Sequence, residues 1–159
     1  MSNIGLEIYL KEIGVKLIRS KVGDKYVLEE MRKIDANFGG EKSGHLIFLD
    51  HSTTGDGLLA AIKILSIISN ENTKPSEILH PFKLYPQMIK NISASTASPI
   101  NTKVVQDTIE EWEKKLGTFG RIIVRPSGTE PLIRIMGEGK DHKLLEEAIL
   151  SIEKVLLEG

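Results

Sequence analysis

The segment Arg125-Pro126-Ser127-Gly128-Thr129-Glu130-Pro131-Leu132-Ile133-Arg134 is the most informative stretch of the chain. It places two arginines, two hydroxyl side chains and a glycine within ten residues, between two short apolar runs. A glycine allows the backbone to turn with positive φ and to approach a ligand closely, so that successive N–H groups converge on an oxyanion. Hydroxyl and guanidinium groups add donors that suit phosphate oxygens. The segment therefore predicts a hairpin loop that binds phosphate.

The alternative for this segment is an ordinary hairpin turn whose arginines lie in water or pair with Glu130. That alternative is the better interpretation for any one of these residues taken alone. Their clustering favours the phosphate site, and Pro126 and Pro131 stiffen both shoulders of the turn. The predicted phosphate-binding residues are Arg125, Ser127, Gly128, Thr129 and Arg134.

The C-terminal half of the chain predicts the element order β-α-β-β-α. Its hairpin strands are residues 121–124 and 132–136, and an earlier strand covers about residues 83–92. The first helix runs from about Thr102 to Leu116, and the last helix begins near Asp141. Each helix carries one apolar face, with Val105, Ile109, Trp112 and Leu116 on the first, and Leu145, Ala148, Ile149, Ile152, Val155 and Leu156 on the second. The pattern predicts an α+β domain with its helices on one face of a sheet.

The N-terminal half alternates between helical and strand patterns. Residues 5–13 and a segment starting at Asp24 predict helices, and residues 16–22 and 46–49 predict strands. Residues 58–68 form the most apolar segment, which is too short to span a membrane, and they predict a buried helix that begins at Asp56 and runs to about Asn70. This alternation predicts an α/β layer with a mainly parallel sheet. An uncovered sheet edge in this half would favour aggregation or a homodimer.

A second candidate site lies in the Gly-Gly-Glu-Lys-Ser-Gly-His segment at residues 39–45. A carboxylate at Glu41 can accept bonds from two hydroxyls, and Ser43 and His45 can each donate or accept. The three groups suit vicinal sugar hydroxyls, and the glycines predict a mobile loop. The alternative is a flexible hairpin with an exposed glutamate. Metal binding is not predicted, because the glycines disfavour the helix that would align Glu41 with His45.

The composition narrows the functional classes further. The chain has 159 residues, of which 40% are hydrophobic and 27% charged, as in ordinary globular proteins. A formal net charge of −1 and an aromatic content of 5% argue against nucleic-acid or membrane partners. Cysteine is absent from the sequence, which excludes disulfides, and the N-terminus shows no signal pattern. We expect a cytoplasmic protein.

Two motifs resemble those of one known family. The segment 125–136, RPSGTEPLIRIM, is similar to the phosphate-binding loop in the last domain of the α-D-phosphohexomutases. Residues 39–45 resemble the sugar-recognition loop in the third of the four domains of that family, and residues 48–59, FLDHSTTGDGLL, extend the likeness. Within the family, these segments look most like the bacterial phosphoglucosamine mutases. The resemblance covers essentially the whole chain.

The resemblance implies a role for each loop. Glu41 and Ser43 would contact the sugar hydroxyls with His45 close by, and the 125–134 loop would bind the phosphate that is not transferred. Lys25 matches a position that usually carries a basic residue near the cleft, although a surface helix lysine is an equally good interpretation. In the family, glucosamine 6-phosphate and glucosamine 1-phosphate interconvert through an active-site phosphoserine and a bisphosphate intermediate, with Mg²⁺ assisting.

The chain lacks the two family motifs that carry this chemistry, the serine loop Thr-X-Ser-His-Asn-Pro and the metal loop Asp-X-Asp-X-Asp-Arg. We therefore expect no catalytic residue and no metal ligand in this segment, and no activity from it alone. The missing N-terminal domains would supply Mg²⁺ and the phosphoserine. The resemblance implies the C-terminal portion of domain three at residues 1–70, a linker at 71–79, and domain four at 80–159.

This organisation implies half of a three-layer α/β/α domain followed by a β-α-β-β-α domain of the TATA-box-binding-protein-like kind. Two other functions fit the same motifs. One is a portion of a phosphomannomutase or phosphoglucomutase, in which the sugar differs at carbon 2. The other is a phosphosugar-binding module without catalysis.

Overall fold

A computed structural model describes residues 1–71 and 74–158 of the chain. Contacts divide it into two compact units. Unit 1 consists of Met1–Ser2 and Tyr9–Lys83, and unit 2 consists of Asn3–Ile8 and the chain from Leu84 onward. The first helix, α1 (Ile4–Glu12), therefore begins in unit 2 and ends in unit 1.

Unit 1 is built around a small antiparallel hairpin that packs on one helix. The two strands pair with Gly39 opposite Ile47. Val27 and Met31 of the helix pack with Ile47 to form a small core. After α1, the elements of this unit are α2 (Asp24–Lys33), β1 (Phe38–Gly40), β2 (Leu46–Phe48), α3 (Gly57–Glu71) and α4 (Pro75–Ile78).

Two predictions about the strands of unit 1 are wrong within the described residues. The strands β1 and β2 pair antiparallel, so the expected mainly parallel sheet is not formed. Residues 16–22 run as irregular backbone instead of a strand. A strand is held by hydrogen bonds to a neighbour, and local β propensity at Val15, Leu17 and Ile18 does not supply that neighbour.

Helix α3 forms close to where it was predicted, but it is not buried. Asp56 begins it, because its Oδ1 atom accepts a 2.9 Å hydrogen bond from the Leu59 N–H. Leu58, Ile62 and Leu65 are 73%, 57% and 63% exposed. The helix is apolar on most of its circumference, and a sheet of two three-residue strands is too small to cover it.

Unit 2 has the predicted order β-α-β-β-α. Its elements are β3 (Gln87–Ser93), α5 (Lys103–Leu116), β4 (Gly120–Pro126), β5 (Leu132–Gly139) and α6 (His142–Glu158). The strands form an antiparallel sheet in the order β3-β5-β4. A short 3₁₀ turn, Gly117–Phe119, leads from α5 into β4.

The core of unit 2 lies between α5, α6 and one face of the sheet. Ile133 and Ile135 on the central strand contact the helices, together with their neighbours Ile92 and Ile122. The predicted apolar faces of both helices are confirmed. Leu145, Ala148, Ile152 and Leu156 are completely buried, and Val105 is 1% exposed. Because successive side chains of a strand point to opposite faces of the sheet, the residues between these core positions lie on the face away from the helices.

At one end, that opposite face carries a buried charge that the sequence did not indicate. Glu138 is completely buried, and its Oε1 atom accepts a hydrogen bond from Arg121 Nε. Its Oε2 atom accepts bonds of 3.3 Å from Asn3 Nδ2 and Gln87 Nε2. Asn3 also exchanges two 3.0 Å bonds with the backbone of Tyr85. The carboxylate is satisfied on both oxygens, as a buried charge requires.

The domain boundary remains a prediction. Part of the proposed 71–79 linker, residues 72 and 73, lies outside the described residues. Within the 71–79 range, the short helix α4 begins at Pro75. Among the described residues, no helix is both long enough and apolar enough to cross a membrane.

Leu156 and Leu157 provide a matched test of the unit 2 core. Leu156 is completely buried on α6, whereas its neighbour Leu157 is 48% exposed. We expect Leu156→Ala to lower the free energy of unfolding by about 2–5 kcal/mol through lost burial and a cavity. Leu157→Ala on the same helix should lower it by less than about 1 kcal/mol.

Urea unfolding followed by the fluorescence of Trp112 measures both changes, because Trp112 is the chain's one tryptophan and packs against this core. Equal losses of stability in the two variants would contradict the observed orientation of α6.

Candidate functional site

The hairpin β4–β5 places two arginines directly opposite each other. Arg125 is the register partner of Arg134, so their side chains lie on the same face of the sheet. Ile122 and Val124 of β4 point to the helices, which assigns the arginines to the opposite face. Like charges directly opposite on neighbouring strands destabilise a sheet. The pair therefore has the character of a site for an anion that bridges both cations.

One carboxylate partly balances the two arginines. Arg134 Nη2 donates a 2.8 Å hydrogen bond to Glu130 Oε2, the arginine–glutamate pairing that belongs to the ordinary-hairpin interpretation. Arg125 Nη1 lies 3.4 Å from the carbonyl oxygen of Pro126. The Nε atom of Arg134 is buried without a hydrogen-bond partner in the described part of the chain. Two positive charges against one negative charge leave a net attraction for an anion.

The tip of the hairpin is closed by its own backbone. The Ser127 N–H donates to the Leu132 carbonyl at 2.7 Å, and the Leu132 N–H donates to the Glu130 carbonyl at 2.8 Å. Gly128 does not adopt the predicted positive φ, and a Cβ atom there would meet nothing within 4 Å. The turn closes with a backbone conformation open to any residue, so the glycine leaves an uncrowded approach to the loop. Thr129 is also exposed, and Ser127 is half-buried.

The second candidate site is a tight turn between β1 and β2. The Gly44 N–H donates to the Glu41 carbonyl at 3.0 Å, and the Glu41 N–H donates to the His45 carbonyl at 2.9 Å. Gly44 has a φ of 95°, a conformation that favours glycine. These bonds hold residues 41–45 in one compact conformation.

The expectation that glycines make this loop mobile is wrong for two of the three. Gly39 and Gly40 lie within β1. A Cβ atom on Gly39 would come within 2.4 Å of the Met31 sulfur and 2.9 Å of Val27 Cγ1. Glycine is needed there because β1 packs closely against α2, which gives the turn a firm base.

Glu41, Ser43 and His45 come together in the turn. Ser43 Oγ lies 2.8 Å from His45 Nδ1, and Glu41 Oε2 lies 3.9 Å from the same nitrogen. Glu41 Oε1 accepts a 2.8 Å hydrogen bond from the N–H of Gly23, the N-cap residue of α2. The glutamate side chain is 19% exposed, and the histidine is 60% exposed. The carboxylate is thus anchored, while the imidazole faces outward.

Gly23 is a site residue that sequence reasoning missed. It supplies the N–H that fixes Glu41 at the positive end of a helix. The sequence feature that could have indicated this role is the segment Val-Gly-Asp-Lys at residues 22–25, where a helical pattern starts directly after a glycine. Asp24, at which the helix was predicted to start, is the first helical residue of α2.

Lys25 lies in the first turn of α2, close in sequence to the residue that anchors Glu41. Its ammonium group is 3.9 Å from Glu29 Oε1, and the side chain is 77% exposed. In the described part of the chain, Lys25 forms no hydrogen bond or ion pair with the 41–45 turn. Residues 1–71 and 74–158 contain no cluster of three histidine, aspartate or glutamate side chains arranged to hold a metal ion.

Two family models match consecutive parts of the chain. Residues 1–85 match phosphoglucomutase/phosphomannomutase, alpha/beta/alpha domain III, and residues 86–154 match the phosphoglucomutase/phosphomannomutase C-terminal domain. The chain belongs to the phosphoglucomutase/phosphomannomutase family, of which it contains these two domain regions.

Bacterial phosphoglucosamine mutases are among its relatives in sequence. The phosphoglucosamine mutase of Azorhizobium caulinodans is 49% identical over 159 residues, which cover 98% of this chain and 36% of the relative. The phosphoglucosamine mutase of Parvibaculum lavamentivorans is 49% identical over 156 residues, covering 98% and 35%. The chain thus spans about a third of the length of these curated relatives.

Solved structures confirm the fold class. An N-acetylglucosamine-phosphate mutase of the alpha-D-phosphohexomutase superfamily, in its substrate complex, superposes with a TM-score of 0.74 at 18% identity. The match covers 97% of this chain and 37% of that one. An N-acetylphosphoglucosamine mutase of Aspergillus fumigatus gives a TM-score of 0.78 at 15% identity, covering 96% and 36%. At these sequence identities, the structural similarity shows a shared fold.

The charge balance at the hairpin leads to a test with inorganic phosphate. NMR titration of this chain should shift the backbone amides around the opposed arginines and the loop tip, namely those of Arg125, Ser127, Thr129 and Arg134. Glu130→Gln should tighten phosphate binding about two- to five-fold, since it removes an exposed competing carboxylate from Arg134.

Glu146→Gln makes the same change of charge on an exposed position of α6 and should leave the affinity within about 1.5-fold. Shifts scattered over the surface, with none in the 125–134 hairpin, would contradict the site.

Proposed function

We propose that this chain is the substrate-recognition portion of a phosphoglucosamine mutase, which interconverts glucosamine 6-phosphate and glucosamine 1-phosphate. The opposed arginines of the β4–β5 hairpin carry the proposal, because two guanidinium groups lie side by side on one sheet face and, within the described residues, the Glu130 carboxylate bonds only to Arg134. A phosphate group that is not being transferred would bridge Arg125 and Arg134 and displace Glu130. Ser127 and Thr129 would add hydroxyl donors, and the exposed Gly128 would leave room for the ligand.

The turn at residues 41–45 would recognise the sugar. Glu41 is held through one oxygen by the Gly23 N–H, which leaves the other oxygen with free lone pairs to accept sugar hydroxyls. Ser43 and His45 already share a hydrogen bond and can rotate it toward a further hydroxyl. Lys25 would act near this turn by turning away from the exposed Glu29.

The phosphoryl chemistry would come from domains outside this segment. Relatives are about three times as long as this chain, and the described residues hold no metal cluster. Mg²⁺ would supply Lewis acidity to phosphoryl transfer in the full-length protein, bound by those domains. The exposed apolar side of α3, with Leu58, Ile62 and Leu65, offers a surface for the rest of domain three. We place the full-length enzyme in the cytoplasm, as a step toward cell-wall precursors.

A chimera tests this function. The upstream domains of the Azorhizobium caulinodans phosphoglucosamine mutase, joined to this chain, should interconvert the glucosamine phosphates in the presence of Mg²⁺ and a bisphosphate primer. This chain alone should give no turnover above a control without enzyme. The assay compares kcat/KM for glucosamine, glucose and mannose phosphates, and a preference for glucose or mannose would assign a phosphoglucomutase or phosphomannomutase instead.

Two substitutions in the chimera separate the roles of the loops. Arg134→Ala should lower kcat/KM about ten- to a hundred-fold for every phosphosugar alike, since it removes a charge-assisted bond to phosphate. Glu41→Gln should instead change the ranking of the sugars. Glutamine is the matched substitution because its carbonyl oxygen can still accept the Gly23 N–H and preserve the turn.

The roles would be reversed if Arg134→Ala reordered the sugars while Glu41→Gln lowered all of them equally. If both variants had the kcat/KM values of the wild type, the proposal that the two loops recognise the substrate would be wrong.

A further inference from the structure

The row of side chains that contains the two arginines continues onto the third strand. Asn91 on β3 is the register partner of Arg134, just as Arg125 is on the other side. Directly opposed residues of an antiparallel pair have Cβ atoms about 4.5–5.5 Å apart and share a face. Arg134 is therefore flanked by a guanidinium on one side and by a carboxamide on the other.

Asn91 lies on the face away from the helices. On β3, Met88 and Ile92 pack against the helical core, and Lys90 reaches Glu153 of α6 at 3.2 Å. Alternation along the strand then directs Asn91 to the face that carries the arginines. Its immediate polar neighbour on that face, Ser93, is already bonded to Ser95 at 2.8 Å.

The amide of Asn91 is available for a ligand. The residue is exposed, and its side chain makes no hydrogen bond within residues 1–71 and 74–158. Asparagine is also uncommon in the interior of β-strands, whereas isoleucine, as at the neighbouring position 92, is common there. Departures from local propensity without a structural gain are expected at functional sites. In the part of the chain that the structure describes, hydrogen bonding therefore does not explain the presence of Asn91.

We propose that Asn91 is a third side-chain ligand of the phosphate site, donating its amide N–H to an oxygen of a phosphate monoester held by Arg134. The inference rests on the proposed function and extends the site from the β4–β5 hairpin across all three strands. A neutral donor beside Arg134 adds a directed hydrogen bond without more positive charge. The phosphate would then be bound by the guanidinium groups of Arg125 and Arg134 and by the carboxamide of Asn91, which lie side by side on three neighbouring strands.

Titration of this chain with inorganic phosphate tests the role of Asn91. Asn91→Ala should weaken phosphate binding about three- to ten-fold, in line with one hydrogen bond to a charged ligand at an exposed site. Asn91→Asp should weaken it further, because the new carboxylate repels phosphate and competes for Arg134. Asn70→Ala makes the same chemical change at an exposed position of α3 and should leave the affinity unchanged.

The side-chain NH₂ signals provide a direct readout. The pair of resonances that disappears in Asn91→Ala belongs to Asn91, and in the wild type this pair should shift on addition of phosphate with the same dissociation constant as the loop amides. A residue that only positioned Arg134 would not show a donor shift of its own amide. The backbone spectrum of each variant checks that the sheet is intact.

Two results would overturn the proposal. If Arg134→Ala abolishes phosphate binding while Asn91→Ala leaves it unchanged and the NH₂ signals stay still, the phosphate site stands without Asn91. If the wild-type chain shows no phosphate-dependent shifts in the 125–134 hairpin, the proposed phosphate site and the role of Asn91 fail together.

Discussion

The antiparallel ladder between β4 and β5 is the constraint on which the rest of unit 2 depends. One face of this ladder buries Ile122, Ile133 and Ile135 against two helices, and the other face displays Arg125 and Arg134. A slip of one residue in register would move the arginines into the core and the isoleucines into water. The hydrophobic core therefore enforces the juxtaposition of like charges that an anion can exploit, so folding and recognition are set by the same hydrogen bonds.

The two candidate sites hold their ligand groups by different physical means. The hairpin site depends on charge, and its exposed Glu130 is a weakly held counterion for Arg134. The 41–45 turn depends on geometry, since Gly39 packs against α2 and Glu41 is bonded to the Gly23 N–H. Ionic strength should therefore affect the first site much more than the second. This difference is consistent with the proposed roles, in which the hairpin binds phosphate and the 41–45 turn distinguishes sugars.

Sequence patterns predicted the fold correctly where the elements that pack together are close in sequence. The stripe on α6 and the paired strands around residues 125–134 predicted unit 2, because the whole sheet and its helices lie within residues 84–158. The same reasoning failed at residues 16–22, where a strand needs a neighbour that local propensity cannot specify. It also assigned Gly128 a positive φ from residue type alone, although the turn closes without one. The anchoring of Glu41 by Gly23 joins residues 18 apart, which periodicity cannot reveal.

The anchoring of Glu41 has a consequence for how the turn can select among sugars. A carboxylate that is free to rotate adapts to any hydroxyl and gains little discrimination from doing so. A carboxylate fixed through Oε1 at the N-terminus of α2 presents its remaining lone pairs in one direction. A ligand whose hydroxyl lies elsewhere then leaves a polar group poorly paired, which costs binding free energy. In the proposed sugar site, preorganisation of this kind would make the turn selective, because its backbone bonds and its packed glycine oppose a rearrangement around the wrong sugar.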